Sequence, residues 1–383
     1  MKKDKTVFFN DYFSQPFPVP FPKIATVPNV VSIEYVIFAN EININPNTMK
    51  YATIIDIARE LGISKSTVSR ALRGDDRNVN KETKKKIVEI AERMGYKRNE
   101  LAVNLRKKST RTIGIVVPEM ITPFYMNFIT YAQQLLNKQG YRVTLAQSHE
   151  DPEAERTNLQ MLEDYRVEGI LISVCHNRKN LDIYKELIDK GIPLVFFDRT
   201  ITDISVPKVK IDDYIKAFFM VEHLIRSGKK EIVHLAGPAY IENAIERKRG
   251  YKDALEKFHI HYNPEYVVDS GVNFTDGEKA VEKLIQKGIR FDAIFSFTEM
   301  SALGAKSNLQ KLHYSIPEDV AISCISGTDL CVLVHPSLTT VEQPVKQMAE
   351  AASHLIIEKI ENPAISDKTV TLNAEMIIRE STL

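Results

Sequence analysis

The sequence predicts two architectures on one chain: a small all-α helix-turn-helix headpiece, then an α/β core of two lobes, each built on a parallel sheet. Three observations point there. Short helical segments crowd into about 45 residues after position 52. Positive charge concentrates in the same place: residues 49–111 hold 17 Lys/Arg against 8 Asp/Glu, residues 112–383 hold 30 against 38, and the whole chain nets only +1. From Thr112 onward, apolar runs of strand length alternate with amphipathic stretches. A length of 383 residues exceeds one ordinary domain of about 100 to 200.

The elements follow in order. Residues 1–48 contain a PFPVPFP run that forbids helix and show little periodicity. They read as an appended segment, either disordered or outside the translated chain. Organised sequence starts at Met49, and residues 49–98 form the headpiece: TIIDIARELG, SKSTVSRALRG and NKETKKKIVEIAERMGY. Thr53 caps the first helix with Asp56 three residues on, Gly62 ends it, Ser64 caps the second and Gly74 ends that. Ile54, Ile57, Ala58 and Leu61, then Val68, Ala71 and Leu72, then Ile87, Ile90, Ala91 and Met94 recur at helical spacing and predict one small shared core.

In the core, TIGIVVP, YRVTLAQ, GILISV, PLVFFD, IVHLAG, YVVD, AIFSF and VAISCI are strands, and the amphipathic stretches between them are helices ending in Gly140, Gly191, Gly228 and Gly288. About ten strands exceed one comfortable sheet, so two sheets of four to six are expected. A cleft between two lobes follows, with ligand residues in the loops after the strands.

Composition excludes several classes. Three cysteines (Cys175, Cys324, Cys331) without a C-x-x-C pair support neither a disulfide framework nor a structural zinc site, and fit a reducing cytoplasm. VVSIEYVIFA is interrupted by Glu34 and too short to span a bilayer, so no membrane partner is expected. No nucleophile-elbow, phosphate-loop, zinc-protease or dinucleotide motif occurs, and Ser227-Gly228-Lys229 lacks the leading glycine of a phosphate loop. His259 and His261 have no third ligand nearby and read as loop histidines. No catalytic residue, metal or cofactor is expected.

The turn Gly62-Ile63-Ser64 between the first two helices has helix-turn-helix spacing. The second helix would then enter a major groove, with Lys65 and Ser66 nearest the base edges and Arg70 one turn later, placed to bond a guanine. Ser64, Thr67 and Ser69 are short hydroxyls suited to phosphates, and Thr53 is counted with the DNA contacts. The alternative is a plain αα-hairpin whose basic residues only solvate it; the segment's charge weighs against that.

SKSTVSRAL followed by NKETKKKIVEIAERMGYKRNELAVNLR resembles the DNA-binding headpiece of the LacI/GalR family of bacterial regulators. TIGIVVPEMITPFY, SHEDPEAERTNLQML, FFDRTI, HLAGP, ERKRGY, ALGA, IPEDVAIS and PSLTTVEQP extend the resemblance to Leu383. It implies a core like the type I periplasmic binding proteins. Lobe 1 would span about 112–212 and 343–362, and lobe 2 about 213–340 and 366–383. It also implies a homodimer or tetramer, a near-palindromic double-stranded operator and a sugar-like effector in the cleft. Residues 99–111 become a hinge helix, with Leu105 wedged into the minor groove and Asn104 on its floor.

For the effector, Phe124 supplies an aromatic face, Asp198 and Arg199 end the PLVFFD strand, Arg247 matches the family's effector arginine, and Phe274 occupies the place of an aromatic lid. Lobe packing is the alternative for Phe124 and Phe274, and a structural turn for Asp198. Two positions depart from the family. Thr298-Glu299 stands where Asn-Asp is usual and Ile325-Ser326 where Phe-Asp is usual, so a serine hydroxyl replaces the common effector carboxylate. A hydroxyl cannot act as a charged bidentate acceptor. That puts an ordinary aldohexose in doubt and leaves a different sugar, an acidic sugar or a phosphorylated metabolite.

Overall fold

The computed structural model describes residues 52–72, 79–97 and 109–383. The appended segment, Gly74 and the expected hinge contacts Asn104 and Leu105 lie outside them. The chain divides after Arg98 into two compact units.

In the first unit, α1 (Ile54–Leu61), α2 (Lys65–Leu72) and α3 (Lys81–Arg93) are each set by local chemistry. Thr53 and Asp56 form a capping box: Asp56 N donates to Thr53 Oγ1 at 3.3 Å and Thr53 N to Asp56 Oδ2 at 2.9 Å. Gly62 ends α1 at φ 64°, the left-handed backbone that glycine adopts without a steric cost. Ser64 Oγ receives the Thr67 amide at 3.1 Å, and Asn80 caps α3. One face of each helix is buried, around Ile57, Val68, Ala71, Ile87 and Ala91, with Val79 closing the cluster.

The second unit holds two six-stranded sheets. Lobe 1 contains β1 (Thr112–Val117), β2 (Arg142–Gln147), β3 (Gly169–Ile172), β4 (Leu194–Phe197) and β5 (Lys208–Ile211), with α4 (Pro123–Lys138), α5 (Pro152–Asp164) and α6 (Leu181–Asp189) between them. Lobe 2 contains α7 (Asp213–Arg226), β6 (Ile232–Ala236), α8 (Glu242–Lys257), β7 (Val267–Asp269), α9 (Phe274–Gln286), β8 (Ala293–Ser296), α10 (Glu299–Lys311), β9 (Ala321–Gly327), α11 (Leu330–Leu333) and β10 (Thr339–Glu342). The chain returns to lobe 1 for α12 (Val345–Glu361) and β11 (Thr369–Leu372), then ends in lobe 2 with β12 (Glu375–Ile377). The orders are β11-β5-β4-β3-β1-β2 and β12-β10-β9-β8-β6-β7, parallel throughout except for β12 against β10. Continuous runs such as GILI, LVFF and AIFS are buried on both faces, as a sheet covered by helices requires.

Two expectations need correction. Four strands escaped the sequence reading: β5 (KVKI), β10 (TTVE), β11 (TVTL) and β12 (EMI), none of them a continuous apolar run. The boundary of lobe 2 at 366 is also too early, because β11 pairs in parallel with β5 in the lobe 1 sheet, Thr369 opposite Lys208 through Leu372 opposite Ile211. The last crossing falls between Leu372 and Glu375. Crossings after β5, β10 and β11 therefore tie the lobes together.

Within lobe 2, helix pairs touch backbone to backbone. A Cβ on Gly304 of α10 would stand 1.9 Å from the carbonyl oxygen of Phe274, and one on Gly250 of α8 would stand 2.3 Å from that of Tyr214. These contacts hold the first turn of α7 against α8 and the first turn of α9 against α10.

Candidate functional site

Headpiece side chains singled out from the sequence lie on and beside α2. Lys65, Ser66, Ser64 and Arg70 are exposed, and Thr67 and Ser69 are half-buried. Ser64 Oγ lies 2.7 Å from Ser66 Oγ and 2.8 Å from Thr67 Oγ1, so three hydroxyls form one cluster at the helix start. Thr53 is exposed, but its hydroxyl donates to Asp56 Oδ2 at 2.7 Å, inside the capping box. Val68 and Ala71 face the buried side.

The cleft lies beyond the carboxyl ends of β1, β4, β8 and β9. It is lined by six of the seven expected effector residues: Phe124, Asp198, Arg199, Arg247, Thr298 and Ser326. Phe274 is elsewhere. It opens α9, and its ring lines a shallow depression with Leu303 and Val334, while its neighbours Val272 and Asn273 face the cleft. Asn273 and Asp276 form the capping box of α9, which sets the direction of that first turn.

Charges in the cleft are already partnered. Arg199 forms a bidentate bridge to Glu150 at 2.7 and 2.9 Å. Arg247, 1% exposed, bonds Asp213 through Nε at 2.8 Å and Nη2 at 2.7 Å, donates Nη1 to the Phe297 carbonyl at 2.6 Å, and lies 4.6 Å from the Phe297 ring centroid. Asp198 stands at φ 55° and accepts from Tyr125 Oη at 2.9 Å and Gln343 Nε2 at 3.1 Å. Burial pushes the Tyr125 hydroxyl well above its usual range, so it stays a donor. Burial also lifts Asp213 to about 6, against the opposing pull of Arg247.

Both departures from the family pattern have structural consequences. Thr298 caps α10 through its hydroxyl, which accepts from Ser301 N at 3.2 Å and donates to the Val272 carbonyl at 2.9 Å. Glu299 turns its carboxylate to Thr328 N at 2.7 Å and Thr328 Oγ1 at 2.8 Å, and burial raises its pKa. Ser326 stands at φ 67° on the cleft wall.

Sequence reasoning missed Glu119, Thr122, Tyr125, Asn243, Asn273, Phe297 and Glu299 on the lining. Glu119 had a readable signal, a carboxylate three residues before Thr122 at a helix start; it accepts the Thr122 amide at 2.9 Å. Asn243 had none.

One side of the mouth is bridged between lobes. His176 stacks on Tyr240 with ring centroids 4.7 Å apart and planes 3° from parallel, and Asn177 N donates to Tyr240 O at 3.0 Å. The cleft between the lobes holds a cavity of about 50 Å³. Among the described residues no cluster of His, Cys, Asp and Glu has the makings of a metal site, and no helix is long and apolar enough to cross a membrane.

Two family models match: one described as bacterial regulatory proteins of the lacI family over residues 53–99, and one described as periplasmic binding proteins and sugar binding domain of the LacI family over residues 110–379. The catabolite control protein A of Priestia megaterium is 30% identical over 86% of this chain and 99% of its own length. The ribose operon repressor of Haemophilus influenzae is 28% identical over 86% and 98%. Among solved structures, a lac repressor dimer bound to operator and the anti-inducer ONPF superposes with a TM-score of 0.76 at 21% identity, covering 87% of this chain and all of that one.

Proposed function

The chain belongs to the LacI family of bacterial regulatory proteins, and from that premise we propose that it is a dimeric repressor whose operator affinity is set by a small sugar-like effector in the cleft. The observation that carries this reading is the polarity of α2. Its Val68–Ala71 edge is buried and its Lys65, Ser66 and Arg70 edge is free for an external surface. Lys65 and Ser66 reach base edges at the start of the helix, Arg70 bonds a guanine one turn on, and the Ser64–Thr67 hydroxyl cluster with Ser69 holds phosphates. Thr53 contributes as the cap that orients α1. Asn104 and Leu105 are the minor-groove contacts of the hinge.

In the core, Phe124 and Phe297 offer apolar faces, Ser326 a hydroxyl, and Asp198, Arg199 and Arg247 a polar floor held by Tyr125 and Gln343, by Glu150 and by Asp213 respectively. An effector stabilises one lobe arrangement over the other by the difference in its contacts, and that difference is passed to the operator-binding ends. The His176–Tyr240 stack joins the two lobes, so a change in lobe arrangement at this edge breaks it.

Selection of bound duplexes from a random pool tests the reading. A near-palindrome of about 14 to 20 base pairs supports it; salt-sensitive binding without sequence preference overturns it.

A further inference from the structure

Behind the cleft lies a second chamber of about 220 Å³, between the end of β5, Thr371 of β11 and the first two turns of α8. It shares Asp198 and Asn243 with the cleft, so these two residues form a common wall. Its lining includes five carboxylates: Asp198, Asp212, Asp213, Glu242 and Glu246. Two cations, Lys210 and Arg249, stand against them. Asp213 is matched by Arg247, and Glu246 by Arg249 at 2.6 Å.

The other three carboxylates are held by neutral donors. Asp198 receives a phenol and an amide, Asp212 receives the Ile215 amide at 3.0 Å, and Glu242 receives the hydroxyls of Thr200 and Thr202. Lys210 lines the chamber with them, Lys208 acts on Glu242 and Arg199 on Asp198, but the five lining carboxylates still outnumber the cations Lys210, Arg249 and the Asp213-bound Arg247. On the cleft side, Arg199 and Arg247 are each neutralised by a carboxylate. Neither guanidinium is free to balance a phosphate or an acidic sugar, and such a ligand would meet Asp198 and Glu242 in a partly desolvated space.

An independent feature asks for a donor. Asn243 lines both chambers and is 6% exposed, and its buried Oδ1 has no hydrogen-bond partner. A buried amide oxygen without a partner carries a desolvation cost. A ligand N–H or O–H at the common wall would remove that cost.

We infer that the effector carries a protonated amine: a polyhydroxylated ring of the amino-sugar class, with its ammonium group in the second chamber facing Asp198, Asp212 and Glu242, and with a donor on Asn243 Oδ1. This rests on the reading of the cleft as the effector site. An ammonium has three donors, one for each of the three carboxylates, and its positive charge reduces their excess, while a ring hydroxyl supplies the donor for Asn243 Oδ1. Thr200 and Thr202 come from lobe 1 and Glu242 from lobe 2, so a cation bound at Glu242 engages the lobe interface directly.

The test is calorimetric titration of the full-length protein, alongside release from its selected operator, with matched triplets: glucosamine, glucose and glucose 6-phosphate; galactosamine, galactose and galactose 6-phosphate; mannosamine, mannose and mannose 6-phosphate. In at least one triplet the amine is expected to bind at least tenfold tighter than its neutral parent, with the phosphate weakest. Glu242→Gln should erase that tenfold preference. A neutral or phosphorylated member that equals or exceeds the amine overturns this inference and leaves the effector reading standing. Silence across all nine compounds, with operator binding intact, overturns the inference together with the effector reading. An amine preference that survives Glu242→Gln also overturns the placement of the ammonium.

Discussion

The headpiece and the cleft use the same kinds of residue in opposite ways. On α2, Lys65 and Arg70 project into solvent beside a cluster of hydroxyls that bond one another and the Thr67 amide. In the cleft, Arg199 and Arg247 are buried, and each is clamped by a carboxylate. An exposed cation costs the fold nothing when removed, whereas a buried one leaves its partner charged and unpaired. The contrast teaches that a surface for a polyanion is a property of one helix face, while a cavity for a small polar ligand is a property of a network in which removing one member disturbs the rest.

The sharpest way to break this comparison is Arg247→Ala. It leaves Asp213 buried without its cation, and about 3–5 kcal/mol of core stability should be lost in urea unfolding, because the remaining carboxylate is buried and uncompensated. A loss under about 1 kcal/mol would show that water enters the site and that the cleft behaves like a surface.

A pH titration of stability comes next. His234 is fully buried, stacked 4.7 Å from the Phe295 ring, and burial lowers its pKa to about 4. The unfolded chain takes up this proton near pH 6.5 and the native protein does not, so stability is complete above about 6.5 and falls as the pH drops towards 4. The loss approaches about 3 kcal/mol. His234→Phe should remove that component of the slope, measured as the difference between the two unfolding curves at each pH. An unchanged difference across the window would place the proton elsewhere.

Arg70→Ala should cost about 1–3 kcal/mol of operator affinity and relax one base position, with the thermal midpoint unmoved. Equal loss on every sequence would assign Arg70 to phosphate. The smallest effect belongs to Thr53→Ala, which removes one half of the capping box; about 1 kcal/mol of headpiece stability should go, read by circular dichroism.

Legibility differed between the two regions for a physical reason. The helix boundaries of the headpiece were readable because caps and periodicity act within four residues: Thr53 with Asp56, Ser64 with Thr67, Gly62 at φ 64°. Six core strands were readable because burial on both faces demands unbroken apolar runs, and the partly exposed edge strands β2 and β7 from the β-branched and apolar residues of YRVTLAQ and YVVD. The four that were not, among them KVKI and TVTL, owe their existence to a neighbouring strand's hydrogen bonds, which no local pattern encodes. In the cleft, Phe124, Asp198, Arg199, Arg247, Thr298 and Ser326 were identified by motif and loop position, yet Phe274 was misplaced, because one step along the first turn of α9 decides which side chain points into the cleft.

By itself the sequence determined that a basic helix-turn-helix precedes a two-lobed α/β core, because charge, caps and apolar periodicity are short-range properties carried by neighbouring residues. Tertiary structure alone decided that β11 returns to lobe 1, that Asn243 carries an unpartnered oxygen, and that Asp198, Asp212 and Glu242 converge on one chamber. Those residues are separated along the chain by up to 44 positions, and only the crossings between sheets bring their charges close enough to act as one field.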